Sequence, residues 1–91
     1  MELAKVIGSV WCTRKSNALT GSKLLLVTPW KAGEGSASGA SRVAADLIGA
    51  GLGEVVLLTT GSAARRAQGD DQSPIDAAVV AIVDNWELAG R

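Results

Sequence analysis

The stretch from Asp46 to Arg65 constrains the fold most. A glycine cluster, Gly49, Gly51 and Gly53, runs directly into Glu54–Thr60, a strand-like segment containing Val55, Val56, Leu57 and Leu58 in succession, and then into Gly61-Ser62-Ala63-Ala64-Arg65. In a dinucleotide-binding fold the glycines follow a strand and open a helix, so that the helix N-terminus meets a pyrophosphate. Here that order is reversed, and the apolar segment that follows the glycines has strand length. The glycines therefore read as a tight backbone crossing, at positions a Cβ would crowd.

The remaining elements follow from local chemistry. Leu3–Thr13 is rich in Val, Ile, Trp and Thr and reads as a first strand, with Gly8 as a bulge or close-packing point. Arg14–Ser22 supplies turn residues, and Lys23–Trp30 is a second strand with Pro29 near its end. Residues 31–41, with Gly33, Gly35 and Gly39, read as a long flexible loop. Over Ser41–Ile48, Val43, Ala44, Leu47 and Ile48 fit a helical stripe that Ser41 could cap and Gly49 could end. Gly61–Ala67 is a short helix with Ser62 as its N-cap, Gln68–Gln72 a loop, and Ser73-Pro74-Ile75-Asp76 the start of a helical turn. Val79–Val83 returns to strand composition.

Such a chain, 91 residues with 47% hydrophobic content, fits one small domain. Phe and Tyr are absent, so the interior must be built from Val, Leu, Ile and Ala, with Trp11, Trp30 and Trp86 as core or interface filler. Nine basic and nine acidic residues cancel, which weakens any reading as a nucleic-acid binder and removes long-range repulsion between copies. The single cysteine, Cys12, excludes an intrachain disulfide and reads as a small buried residue in the first strand. Met1–Lys5 lacks the pattern of a secretion signal, and no apolar run approaches the ~20 residues of a membrane span, so a soluble cytoplasmic protein is expected.

Chemistry is sparse. With no histidine, the usual general base, the imidazole metal ligands and every Ser-His or Cys-His pair are missing. Ser62 lacks a nucleophile-elbow context, and Asp70 and Asp71 lack the framework of a calcium loop. No enzyme, metal or cofactor is expected. Gly61–Arg65 could hold a small anion through free amides and Arg65.

The segments Val6-Ile7-Gly8-Ser9-Val10, Thr13-Arg14-Lys15, Leu19–Val27, Asp46–Leu57, Gly61–Arg65 and Pro74–Asp84 together resemble, in order and over nearly the whole chain, the EutN/CcmL family of pentameric microcompartment and carboxysome vertex proteins. The resemblance implies an all-β fold: a small closed five-stranded OB-like barrel with one or two short helices, assembling as a cyclic pentamer. It also implies a strand, not a helix, over Ser41–Ile48, and a structural role at shell vertices beside hexameric shell proteins. Lys15, Lys23, Asp46, Gly49, Gly51, Gly53, Glu54, Ser62 and Arg65 are then candidates for the subunit interface or the fivefold axis. Trp11 and Trp30 stand where the family usually carries an aliphatic residue. The family spans carbon-fixing and catabolic compartments, and the catabolic kind is the preferred reading. The alternative is an OB-like barrel that binds nucleic acid or a small anionic ligand.

Independently of the resemblance, Leu24–Val27, Val55–Leu58 and Val79–Val83 are apolar on both faces, whereas a strand with one face in water alternates. With little helix to cover those faces, another copy of the chain is the economical cover.

Overall fold

A computed structural model describes residues 1–19, 21–36, 39–87 and 89. The elements are β1 (Glu2–Val10), a 3₁₀ turn (Asn17–Leu19), β2 (Leu24–Lys31), β3 (Gly35–Ser36), β4 (Arg42–Asp46), β5 (Val55–Thr60), α1 (Gly61–Ala67) and β6 (Ala77–Ile82). The sheet order is β1-β5-β6-β4-β2-β3, and β1 also pairs with β2. Five strands thus close into a ring, with β3 attached to β2 as a short hairpin arm. All ring pairings are antiparallel except β4–β6, which is parallel through Ala45↔Ala78 and Asp46↔Val79.

Closure dictates the core. Alternate residues point inward, so Ala4 and Val6 of β1, Leu25 and Val27 of β2, Val56 and Leu58 of β5, and Ala77 and Val79 of β6 form one buried cluster with Ala44 and Ala50. Each fully buried Val or Leu contributes roughly 1.5–3 kcal/mol relative to exposure, and the many alanines fit a ring of small bore. Outward-facing Leu24, Leu26, Val55 and Leu57 are half-buried. α1 packs over β5 and β6, which explains why Thr59, Ala64 and Ala78 are buried on the outside of the ring.

Between Val6↔Val27 and Gly8↔Leu26 the β1–β2 register slips, so Ile7 is the extra residue of a β-bulge, at the expected position beside Gly8. β4 is a strand despite its helical stripe, because it is hydrogen-bonded on both sides, to β2 and β6. Three expectations need correction. β1 ends at Val10, so Trp11, at 91% exposure, and Cys12 stand in solvent rather than within a strand. Residues 31–41 are not all loop, since Trp30↔Ser36 and Lys31↔Gly35 pair; residues 37 and 38 of that segment lie outside the described residues. Ser73–Asp76 starts no helix: Ser73 Oγ donates to Gln68 Oε1 at 2.9 Å and accepts from the Ile75 N–H at 3.1 Å, and the chain continues extended into β6.

Candidate assembly surface

The glycine turn joins β4 to β5, and two carboxylates organise it. Asp46 Oδ1 accepts from the N–H groups of Ile48 (3.1 Å), Gly49 (2.9 Å) and Ala50 (3.2 Å). Glu54 Oε1 accepts from the Gly51 N–H at 2.6 Å. Four successive amides are therefore held from the two ends of the turn. The main chain hooks the turn onto the barrel: Gly53 N–H donates to Val6 O (2.9 Å), Val6 N–H to Glu54 O (3.0 Å), and Leu47 N–H to Val79 O (3.3 Å).

Asp46 also pairs with Lys23, whose Nζ lies 3.3 Å from Oδ2; the aspartate side chain is fully buried and the lysine is 60% exposed. Burial pushes the Asp46 carboxyl upward, but hydrogen bonds from Gly49, Ile48 and Ala50, together with Lys23, outweigh it and hold the group below its ordinary value. The link is reinforced at the backbone, where Asp46 N–H donates to Lys23 O at 2.9 Å.

The glycines are required for a different reason from the one expected. A Cβ at Gly49 or Gly53 would meet nothing within 4 Å in the subunit, but both residues adopt positive φ, +92° and +86°. Gly51 has ordinary φ, and a Cβ there would lie 3.3 Å from Glu54 Oε1, the acceptor that holds its own amide. Conformation at two positions and a close carboxylate at the third replace crowding by backbone.

Of the residues singled out from sequence, the structure brings Lys23, Asp46, Gly49, Gly51, Gly53 and Glu54 together in this one turn. Lys15 is exposed in the β1–β2 connection, where it lines a cavity of about 230 Å³ with Trp11, Cys12, Leu19 and Leu24. Ser62 and Arg65 are on α1, and among the described residues neither is hydrogen-bonded or ion-paired to the turn. Ser62 is not the cap: the helix starts at Gly61 directly off β5, the N-cap position falls on Thr60, and its side chain makes no capping bond. Asp70 Oδ1 accepts from the Gln72 N–H at 2.9 Å and so shapes its own loop.

Sequence reasoning missed the apolar rim of the turn. Leu47, Ile48 and Leu52 are 41%, 49% and 77% exposed, and Ile7, beside the Val6 hook, is 42% exposed. The available signal was that apolar residues bracket all three glycines. It also missed Gln68, whose Nε2 donates to Ala64 O (2.9 Å) and Ile75 O (2.8 Å).

A closed five-stranded barrel with a braced turn and an apolar outer wall defines a small β-barrel module. The chain belongs to the EutN/CcmL family, whose model, described as "Ethanolamine utilisation protein EutN/carboxysome", matches residues 1–84. It is 47% identical over 87 residues to the microcompartment shell vertex protein GrpN of Rhodospirillum rubrum, covering 96% of this chain and 97% of that one. The carboxysome shell vertex protein CcmL of Synechocystis is 47% identical over 89 residues, covering 98% and 88%. The solved structure of the pentameric microcompartment shell protein GrpN from Rhodospirillum rubrum superposes with a TM-score of 0.84 at 44% identity, over 97% of this chain and 99% of that one.

Proposed function

We propose that five copies of this chain close into a ring that caps the vertices of a microcompartment shell, packing against flat hexameric tiles, and that the role is structural rather than catalytic. The observation that carries this reading is the apolar outside of a neutral chain. Leu24, Leu26, Val55 and Leu57 on the barrel wall, together with exposed Val43, Leu47, Ile48 and Leu52, leave more apolar surface than a lone small barrel needs. A cyclic ring demands a heterologous contact, in which one face of each subunit complements the opposite face of the next. A sheet of hexagons is flat, and a closed shell needs fivefold positions, which a pentameric relative such as GrpN is shaped to fill.

Within that ring, the Gly49–Gly53 turn faces the axis, where the lack of side chains lets backbones converge. Lys15 and Arg65, which form no ion pair among the described residues, contact neighbouring copies or tiles, and charge pairs there fix register more than they add affinity. Lys23, Asp46 and Glu54 shape the turn that is presented, while Ser62 lies exposed on α1 at the periphery. Native mass spectrometry of the purified chain tests the reading. A fivefold mass is expected; a stable monomer at micromolar concentration, or another subunit count, would overturn it.

A further inference from the structure

After β6 the chain keeps one main-chain tie to the barrel, Val83 N–H to Val55 O at 2.8 Å. Beyond it, over residues 84–87, the described hydrogen bonds reduce to a local one, Trp86 N–H to Asn85 Oδ1 at 2.9 Å. Asp84, Asn85 and Glu87 are exposed. What holds this segment is an aromatic contact: the indoles of Trp30 and Trp86 meet edge to face, with centroids 4.7 Å apart and planes at 73°. Trp30 stands at the base of the β2–β3 hairpin, and that arm is itself thin. Among the described residues it has two residue pairs, Trp30↔Ser36 and Lys31↔Gly35, one tight-turn bond from Glu34 N–H to Lys31 O at 3.0 Å, and one exposed ion pair, Lys31–Glu34.

Two marginal elements, far apart in sequence, thus share one ring-to-ring contact. We propose that Trp30 and Trp86 form a clasp that couples the C-terminal strap to the β2–β3 arm, so that strap and arm open and close as one unit while the barrel stays shut. Among the described residues each element alone is held by few bonds, and local opening is governed by such thin contact sets. The paired indoles supply the shared contact, and opening bares half-buried Trp30 and the covered part of Trp86, which is 43% exposed in the closed state. The clasp depends on two residues of this particular chain rather than on the barrel, whose closure is complete without them.

Hydrogen–deuterium exchange on the full-length chain, in whatever assembly it forms, tests the coupling. Trp86→Ala is expected to accelerate exchange about tenfold both at residues 84–87 and at residues 31–36, with the amides of Val6, Val56 and Val79 unchanged. Trp30→Ala should reproduce the pattern, and the double variant should add nothing further. The near-ultraviolet circular dichroism of the coupled indoles should vanish in either single variant. If Trp30→Ala also loosens the barrel, Trp86→Ala decides alone, because residue 86 takes no part in the sheet. Acceleration confined to residues 84–87, no acceleration anywhere, or a double variant equal to the product of the singles would overturn the clasp.

Discussion

Asp46 is the residue on which the exposed turn depends. Its buried carboxylate serves three amides and one ammonium, and hydrogen bonds to a charged group are each worth about 1.5–3 kcal/mol. Asp46→Ala is expected to lower unfolding stability by about 2–4 kcal/mol, measured by urea denaturation, since several bonds go at once but the turn relaxes towards water. Because the folded carboxyl sits below its unfolded value, its stabilisation is present in full above the unfolded pKa of about 3.9 and is lost as pH falls through the lower folded value. Asp46→Asn should therefore flatten the acid limb of the stability profile, and an unchanged limb would show that another group controls it. At Gly49 and Gly53, alanine would be forced into the left-handed region, at about 1–2 kcal/mol each. Gly51→Ala should cost less than either, since its φ is ordinary and Glu54 can swing away; Gly51→Val probes the axis instead, and an intact pentamer in that variant would misplace the turn.

At the level of elements, the loop between α1 and β6 is fastened by Gln68, which bridges Ala64 O and Ile75 O while accepting from Ser73 Oγ. Gln68→Ala frees these partners and is expected to cost about 1–3 kcal/mol, read as a lower thermal midpoint with the barrel's circular dichroism retained. The same network explains what sequence could not reveal. Ser73-Pro74 carries the local grammar of a helix start, but Ser73 is committed to Gln68, five residues earlier, and β6 must run extended to pair with β5. The strands rich in β-branched and aliphatic residues were legible because composition and inward alternation agree, as with Val56 and Leu58 or Lys23–Trp30. The 42–46 strand was legible only through the family resemblance, since its periodicity points to helix and its pairing to β2 and β6 is a long-range fact. In the candidate site, Lys23, Asp46 and Glu54 were each visible as residues, but the Lys23–Asp46 pair spans a strand-to-strand contact that no local pattern encodes. Ser62 misled because a strand can feed a helix directly, leaving the cap position to Thr60.

The molecule as a whole presents apolar side chains to its surroundings. Leu52, 77% exposed on a turn in which the amides of Ile48, Gly49, Ala50, Gly51, Gly53 and Glu54 are already engaged, presents a hydrocarbon side chain to a partner. Leu52→Asp is expected to shift the assembly towards smaller species in native mass spectrometry while the monomer's far-ultraviolet spectrum stays unchanged; a fully retained pentamer would place Leu52 outside the contact. Arg65→Glu should likewise weaken the ring, and an unaltered mass on dilution would remove Arg65 from it. Ring closure of the five strands has a last consequence. A barrel of this kind offers a neighbour almost no bare main chain to template upon, because among the described residues the unpaired rim is the two-residue β3. Apart from the glycine turn, a neighbouring copy would meet side chains on curved walls, and curvature sets a stopping number. Growth of that sort is self-limiting where strand stacking would run on as a fibre.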